Sequence, residues 1–318
     1  MNEKIHKICF LFPGQGSQKI GMGKEISKLF KSCKEVFECA SEIFGFSVLN
    51  LCENDEESLK KTEFAQIAIC ATNISAFSAI KEKGIKADFL VGHSLGQYCS
   101  LYVANILSLE DTFKLLKIRI DSIKEFAPKK NTSMCAIIGV DSKTIEEECK
   151  KANSYVACAN FNSANQTVIS GETEGVLEVS KKLEKIAKRC ILLNVSSAFH
   201  CNLMKDVALS FAEKIKDINF KNPTIPIYSN VTANKIKTGN EIKSLLVEHF
   251  TSPVLFTKIL ENLEKENVSL FIELGQGKTL SSLTKKTLKN AITLNIEDKS
   301  SFLKTIDSLE NIFKISAK

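Results

Sequence analysis

Short apolar segments occur along the whole chain, and between them apolar residues return at every third or fourth position. The segments at residues 8–12, 89–91, 225–229 and 269–273 are bounded by polar or glycine-containing turns, which predicts buried β-strands. The intervening spacing predicts amphipathic helices, including two over residues 24–83. Strands that alternate with helices form a parallel sheet covered on both faces, so we expect an α/β fold.

The order of elements changes in the middle of the chain. The pattern there predicts a strand, a helix, two strands, a helix and a strand, at residues 134–138, 143–152, 155–161, 167–170, 174–187 and 189–195. This βαββαβ order is that of a ferredoxin-like unit. We therefore expect a small subdomain over residues 128–196, inserted in a large subdomain made of residues 1–127 and 197–318.

One turn between a strand and a helix contains a candidate nucleophile. Residues 92–96 read Gly-His-Ser-Leu-Gly, with an apolar strand before them and helical spacing after them. In this G-x-S-x-G arrangement a tight turn exposes the serine hydroxyl, and glycine is needed where a Cβ would collide with a neighbouring element. The pattern predicts Ser94 as a nucleophile and the N–H of Leu95 as a donor to an oxyanion.

A serine hydroxyl needs a base within hydrogen-bonding distance to act as a nucleophile at neutral pH. Of the four histidines in the chain, two are candidates. His200 lies in a loop of small residues after a strand, where catalytic groups often lie. His249 would follow Ser94 and Asp206 in the hydrolase order, but it comes late in a helical pattern. Spacing favours His200 and leaves His249 open as an alternative.

The charge balance narrows the possible partners. The formal net charge is +6, and of 43 basic residues only two, Arg119 and Arg189, are arginines. The basic residues are spread along the chain without interleaved aromatic residues, which does not favour nucleic-acid binding. Because lysine serves as the general cation here, Arg119, beside the apolar face of a helix, indicates bidentate binding of a carboxylate. We assign Arg189 to chance or packing.

Other classes of protein are not indicated. No run of about 18 apolar residues is present, so we expect no membrane-spanning helix and no membrane partner. The 11 cysteines contain no C-x-x-C pair, which argues against a zinc site or a disulfide framework. Cysteines in apolar segments are typical of a cytoplasmic protein with reduced thiols. We expect a cytoplasmic monomer without a metal or another cofactor.

Taken together, these motifs resemble those of malonyl-CoA:acyl carrier protein transacylases. The resemblance covers residues 5–295 and follows the family's order of motifs. It rests on residues 12–18 (Phe-Pro-Gly-Gln-Gly-Ser-Gln), residues 92–96, Arg119, residues 160–163 (Asn-Phe-Asn-Ser) and residues 199–200 (Phe-His). It implies a hydrolase-like α/β domain, with a doubly covered parallel sheet, that carries a ferredoxin-like insertion.

The resemblance also implies a mechanism. Ser94 would take the malonyl group from malonyl-CoA as an acyl-enzyme and pass it to the phosphopantetheine thiol of acyl carrier protein. His200 would act as the general base in both halves of this exchange. The N–H groups of Leu95 and Gln15 would hold the oxyanion.

Four further residues would contact or support the substrate by the same resemblance. Arg119 would bind the free carboxylate of malonyl, Phe199 matches family members that select malonyl, and Asn160 would lie at the substrate. His249 stands where the family usually has a glutamine that orients the catalytic histidine. The orienting group would be either the backbone carbonyl, which any residue supplies, or the side chain, whose protonation would then disarm the base.

Three other positions depart from the family pattern: Gln97, where glutamate is usual, and Ala198 and Gln276, where proline is common. Three alternatives stay open. The first is an acyltransferase that serves a polyketide synthase, and the second is a serine thioesterase with water as acceptor. Arg119 argues against the second, because a hydrolase of neutral acyl groups has no use for a buried cation. The third is a carrier-binding scaffold, against which the intact catalytic set argues.

Overall fold

The computed structural model describes residues 6–128 and 131–316. The ends of the predicted large subdomain, residues 1–5 and 317–318, and residues 129–130 of the predicted small one lie outside the described residues. The described chain contains both helices and strands, with a parallel sheet and a separate antiparallel sheet. The predicted α/β class is confirmed.

Strands and helices alternate along most of the described chain. The strands are β1 (Lys7–Phe12), β2 (Phe89–Gly92), β3 (Thr132–Ile138), β4 (Val156–Ser163), β5 (Gln166–Glu172), β6 (Arg189–Leu192), β7 (Ile227–Tyr228), β8 (Lys235–Ile236), β9 (Val268–Leu274) and β10 (Ile292–Ile296). The helices are α1 (Lys31–Phe44), α2 (Val48–Asn54), α3 (Glu56–Leu59), α4 (Thr62–Glu82), α5 (Gly96–Val103), α6 (Leu109–Phe126), α7 (Ser142–Lys150), α8 (Thr173–Leu183), α9 (Lys205–Ile215), α10 (Gly239–Glu248), α11 (Phe256–Lys265), α12 (Thr279–Thr287) and α13 (Lys299–Ser316). Short 3₁₀ turns occur at Ile26–Lys28 and Asn202–Met204.

Packing divides the chain into two compact units. The first unit contains the described residues up to Lys114, Lys221–Tyr228 and the described residues from Asn262 onward. The second unit contains Leu115–Phe220 and Ser229–Glu261. The second unit therefore includes the segment predicted as a small subdomain together with residues on both sides of it. The predicted subdomain boundaries themselves stay a prediction.

β1 lies inside the parallel sheet of the first unit. The strand order is β10–β9–β1–β2–β7, and the paired strands run parallel. Residues 9–12 of β1 are at most 1% exposed, as expected of a strand whose two faces are both covered by helices. The register pairs Phe12 with Gly92. The loops that follow β1 and β2 thus leave the sheet side by side at its carboxyl edge, where α/β proteins bind ligands.

α4 is a core helix of the first unit. An 18-residue window of α4 has a mean hydropathy of 1.2, enough for a membrane span by length and composition, but 89% of that window is buried inside the protein. The prediction of only two helices over residues 24–83 is wrong, because α2 and α3 also form there. These helices have seven and four residues, too few to establish a helical period in the sequence.

The second unit is built on the antiparallel sheet β4–β5–β3–β6. Its elements follow one another along the chain as β3, α7, β4, β5, α8 and β6, which is the predicted order. α7 and α8 pack against this sheet, and the shared core includes Ile137, Ile145, Ile169, Val176 and Val179. Burial of this apolar layer holds the two helices on the sheet.

A buried carboxylate lies near the carboxyl end of β9. Glu273 is 0% exposed, and it accepts hydrogen bonds from the backbone N–H groups of Leu280 (3.1 Å) and Ser281 (2.7 Å) at the start of α12. Burial raises the pKa of this carboxyl above its ordinary value of 4.5, and the hydrogen bonds from Ser281 and Leu280 oppose the rise. Ionisation of Glu273 therefore lowers the free energy of unfolding.

We expect the wild type to gain stability relative to Glu273→Gln as the pH falls. The folded state takes up the proton at a higher pH than the unfolded state, whose carboxyl titrates near 4.5. At pH values above the pKa of Glu273 in the folded protein, its ionisation destabilises the fold in full. At pH values below its pKa in the unfolded protein, this destabilisation is absent. Melting temperatures of both proteins from about pH 7.5 to about pH 4.5 measure the effect. Glu42→Gln, at an exposed position of α1, is the control. If the difference in melting temperature between the wild type and Glu273→Gln did not change with pH, this expectation would be contradicted.

Candidate active site

The turn between β2 and α5 holds Ser94 in a left-handed conformation. Its φ is +51°, a region that residues with a side chain seldom occupy. A Cβ built on Gly92 would lie 2.0 Å from the backbone N of Gln97, and one built on Gly96 would lie 2.0 Å from the carbonyl oxygen of Phe12. Both contacts are with backbone atoms, so glycine is required at both positions. The predicted strand, tight turn and helix around the serine are present.

Two backbone N–H groups in this region are not used by the turn itself. In the first turn of α5 the amides of residues 96–98 donate to the carbonyls of residues 93–95. Within the described residues, the amides of Leu95 and Gln15 donate to no protein acceptor. Amides at the start of a helix point outward and favour an anionic ligand. The first unit thus presents two donors beside the serine turn.

The loop that carries Gln15 is fixed against that turn. A Cβ built on Gly14 would lie 2.4 Å from the carbonyl oxygen of His93 and 3.6 Å from the backbone N of Leu95. The side-chain amide of Gln15 donates to the hydroxyl of Thr62 at 3.1 Å, which ties this residue to the start of α4. The structure therefore brings together the predicted residues Gln15, Leu95 and Ser94.

His200 lies in a second left-handed turn, in the second unit. Its φ is +58° and its side chain is buried. The residues before it are anchored by a hydrogen bond from the Ser197 hydroxyl to the carbonyl of Pro128 (3.0 Å). A second bond runs from the N–H of Ala198 to the hydroxyl of Thr132 (3.2 Å). These contacts fix the main chain that carries the imidazole.

The imidazole of His200 is oriented by a backbone carbonyl. Its Nδ1 lies 2.9 Å from the carbonyl oxygen of His249. Because a carbonyl only accepts, Nδ1 carries the proton in this contact, and in the neutral imidazole Nε2 then has the lone pair. The two imidazole rings are also close, with centroids 4.8 Å apart and planes tilted by 36°. Of the two orienting groups considered from the sequence, the backbone carbonyl is the one that makes the contact.

His249 lies at the end of α10. The segment that follows it is attached to β4. The N–H of Val254 donates to the carbonyl of Ala159 (2.8 Å), and the N–H of Phe161 donates to the carbonyl of Val254 (2.9 Å). These bonds form a parallel bridge between Asn160 and Val254. Asn160 is buried within this bridge. The predicted residues Asn160 and His249 are therefore carried by two connected segments of the second unit.

The two arginines have different surroundings. Arg119 on α6 is 6% exposed, and its guanidinium carbon lies 5.6 Å from the ring centroid of Phe250, within cation–π distance. Phe250 in turn packs against Phe211, with centroids 5.0 Å apart. Arg189 lies exposed on β6. Phe199, directly before the candidate base, is buried. The arginine singled out from the sequence is the one shielded from water.

Known relatives show which family these features belong to. Residues 9–306 match the acyl transferase domain family. The malonyl CoA-acyl carrier protein transacylase of Bacillus subtilis (strain 168) is 38% identical over 312 residues, which cover 96% of this chain and 98% of that protein. This chain belongs to the malonyl CoA-acyl carrier protein transacylase family.

Solved structures extend this likeness to the fold of the transacylases. The malonyl CoA-acyl carrier protein transacylase of Clostridium perfringens ATCC 13124 has a TM-score of 0.93 at 35% identity, and the match covers 98% of this chain and all of that one (100%). A malonyl-transacylase in complex with its type II polyketide synthase acyl-carrier protein has a TM-score of 0.91 at 31% identity, covering 95% of this chain and 99% of that one. The resemblance stated from the motifs is confirmed.

The positions that depart from the transacylase pattern are accommodated locally. Because the contact to His200 comes from the backbone, a histidine at position 249 leaves it intact. Gln97 and Ala198 are fully buried. The side-chain amide of Gln276 donates to the carboxylate of Glu297 at 2.8 Å. At positions 249 and 276 the departing residue takes part in a defined contact.

The sequence analysis missed one residue that supports the candidate site. Asn73 is fully buried in α4, and its side-chain amide donates to the carbonyl of Pro13 at 2.9 Å, just before the loop that carries Gln15. A Cβ built on Gly275 would lie 1.9 Å from Oδ1 of Asn73, so the amide is enclosed. A single asparagine within a long apolar helix was the available signal, because a buried amide is retained where it has a partner.

The thiol, imidazole and carboxylate side chains outside the serine turn form no further candidate site in the described residues. Within the described residues, no group of three or more His, Cys, Asp or Glu side chains is arranged to hold a metal ion. The 11 cysteines are free thiols. Burial raises the pKa of Cys33 to about 11 and that of Cys52 to about 12, so both thiols are neutral and weakly nucleophilic at neutral pH.

Proposed function

We propose that this chain transfers a malonyl group from malonyl-CoA to the phosphopantetheine thiol of acyl carrier protein through an ester on Ser94, and so supplies extender units for fatty-acid synthesis. Relatives named for this transfer match nearly the whole chain, and one was solved with an acyl-carrier protein. The single observation that carries the proposal is the burial of Arg119 in a chain that otherwise relies on lysine. A malonyl group, unlike a neutral acyl group, has a free carboxylate for that guanidinium.

Acylation of the enzyme is the first half of the reaction. Nε2 of His200 takes the hydroxyl proton of Ser94 while Oγ attacks the thioester carbonyl carbon. The charge that develops on the carbonyl oxygen is stabilised by the N–H groups of Leu95 and Gln15. The carbon–sulfur bond then breaks, His200 gives its proton to the sulfur of CoA, and malonyl stays as an ester on Ser94.

Transfer to the carrier protein is the second half. The phosphopantetheine thiol gives its proton to His200 and attacks the ester carbonyl carbon, again with the oxyanion held by the two amides. The carbon–oxygen bond breaks, and the proton returns to Oγ of Ser94. The carbonyl of His249 holds the Nδ1 proton in both halves, so Nε2 is the nitrogen that takes up and returns the transferred proton, and a Ser–His dyad suffices without a carboxylate.

Selection of malonyl depends on residues of the second unit. Arg119 pairs with the free carboxylate through its planar fork, which a lysine does not reproduce. The anchored carboxylate holds the acyl group out of the line of attack by water, which favours transfer over hydrolysis. Phe199 limits the room beside the acyl group and so favours malonyl over branched groups, and Asn160 contributes polar contacts to the substrate.

The finer description of the fold supports the same proposal. The strand order β4–β5–β3–β6 with two helices agrees with a ferredoxin-like small subdomain over residues 128–196. The serine turn after β2 agrees with a hydrolase-like large subdomain over residues 1–127 and 197–318. Each step above is a proton or acyl transfer, so the reaction needs no metal or other cofactor. All the proposed residues come from one chain, consistent with a monomer, and the free thiols agree with the cytoplasm.

A second candidate is the same transfer in the service of a polyketide synthase. The structural relative solved with a type II polyketide synthase acyl-carrier protein favours it. Chemistry and fold are common to both candidates, so the acceptor decides between them. Malonyl transfer rates to a fatty-acid and to a polyketide carrier protein, measured side by side, separate the two.

We expect a malonyl adduct on the wild type and none on Ser94→Ala. Intact-mass measurement after brief incubation with malonyl-CoA detects the adduct, and added acyl carrier protein discharges it to the carrier thiol. Ser282→Ala, at an exposed serine of α12, is the matched control and keeps the adduct. Release of CoA without an adduct would support the thioesterase instead, and neither adduct nor release would contradict the proposed transfer.

We expect His249→Gln to keep kcat/KM within about threefold of the wild type, because the orienting carbonyl belongs to the main chain. His200→Ala is the comparison, and its kcat falls by about 10²–10⁴-fold. The pH profiles of the wild type and His249→Gln should coincide. An acid-side loss of activity that disappears in His249→Gln would show that the imidazole of residue 249 takes part.

We expect Arg119→Ala to weaken malonyl transfer by about 2–5 kcal/mol in transition-state binding, because the substrate carboxylate loses its buried partner. Arg119→Lys should restore only part of the activity, since the ammonium has no fork geometry. Arg189→Lys, at the exposed arginine, is the control. Parallel assays with malonyl-CoA and acetyl-CoA check the assignment, and an equal loss with both substrates would exclude a role in carboxylate recognition.

A further inference from the structure

A cavity of about 320 Å³ lies in the first unit at the edge of the sheet opposite to Ser94. Its walls come from the segment that follows α4 and precedes β2, from the end of α5, and from the residues just before β7. Ser94 instead follows the end of β2, whose four residues span about 13 Å. The cavity is therefore separate from the serine turn and its two amides.

The interior of the cavity is aromatic and apolar. Phe10 of β1, Phe77 of α4 and Tyr102 of α5 form a continuous wall. Phe10 meets Phe77 with ring centroids 6.3 Å apart, and Phe77 meets Tyr102 at 6.0 Å with planes at 88°. Val103 and Ile85 complete the apolar lining. Edge-to-face pairs of this kind hold one another in place, so the wall is formed before a ligand arrives.

The charged groups at the cavity are all cationic. Lys81 and Lys86 line it, and no carboxylate does. Within the part of the chain that the structure describes, neither lysine forms an ion pair. The nearby acidic residues are engaged elsewhere: Glu82 accepts from the hydroxyl of Ser32, and Asp88 accepts from the N–H of Ile8. The lining itself thus carries two positive charges and no negative one.

We propose that this cavity binds a small amphipathic carboxylate of the medium-chain fatty-acid class. The alkyl chain lies against Phe10, Phe77 and Tyr102, and the carboxylate lies between the ammonium groups of Lys81 and Lys86. The volume is at the lower end of the range for small-molecule sites, roughly 300–1,000 Å³, which suits one short chain rather than a coenzyme. Lysines bind the head while their alkyl stems extend the apolar wall.

Titration of the full-length protein with octanoate, followed by isothermal calorimetry or saturation-transfer NMR, tests the proposal. Octanoate should bind saturably to the wild type. The double variant Lys81→Ala, Lys86→Ala should bind it at least tenfold more weakly. Lys83→Ala is the matched control, because Lys83 lies over the ring of Phe30 at 5.8 Å and does not line the cavity, and it should bind octanoate as the wild type does.

Two further measurements keep the test specific. Octanol has the same chain without the charge and should bind more weakly than octanoate. Ala87→Leu, which fills the half-buried lining without changing the charge, should lose octanoate binding. Melting curves confirm that each variant is folded. Absence of saturable binding, equal binding by the double lysine variant, or equal affinity for octanol would each overturn the proposal.

Discussion

The position of Ser94, the proposed nucleophile, depends on one close contact between backbones. The carbonyl oxygen of Phe12 at the end of β1 accepts from the N–H of His93 at 2.9 Å, and α5 starts so near to it that no Cβ fits at Gly96. Ser94 has a left-handed backbone conformation, which is strained for a residue with a side chain. The close packing around it stabilises this conformation. The loop that carries Gln15 also lies close to this turn, since a Cβ on Gly14 would be 2.4 Å from the carbonyl oxygen of His93. Ser94 and the two proposed oxyanion donors are thus placed together.

In the second unit, main-chain contacts fix the imidazole of His200, the proposed base. His200 is held by the carbonyl at the end of α10, and that end is attached to β4 through Val254 and Ala159. A backbone carbonyl does not depend on the identity of its side chain. This explains how a histidine can stand at position 249, where the family pattern has glutamine, without loss of the contact. The bridge between Asn160 and Val254 attaches the segment that follows this carbonyl to β4.

The sequence predicts those features that are encoded locally. The apolar strands, the serine turn and the βαββαβ order each follow from residues close together in the chain, and the structure contains them. Prediction from the sequence fails where an element is too short to show a period, or where a contact joins residues far apart in the chain. α2 and α3 are too short to show a period, and the role of Asn73 depends on Pro13, which is 60 residues away. The contact made by the backbone of His249 leaves no trace in side-chain identity, so the sequence left two orienting groups open.

The two edges of the parallel sheet offer different groups for binding an anion. At the carboxyl edge, the start of α5 supplies outward N–H groups and the positive end of a helix dipole, so in the proposed reaction the main chain alone stabilises the oxyanion. The opposite edge receives the ends of α4 and α5, where helix dipoles are negative and disfavour an anion. A carboxylate bound there must be held by side chains. Lys81, in the last turn of α4, offsets that field, and Lys86 lies beyond the helix where it adds a second charge. The anion binding proposed at this edge therefore depends on two side chains that can be substituted, whereas the oxyanion donors proposed at the carboxyl edge belong to the backbone.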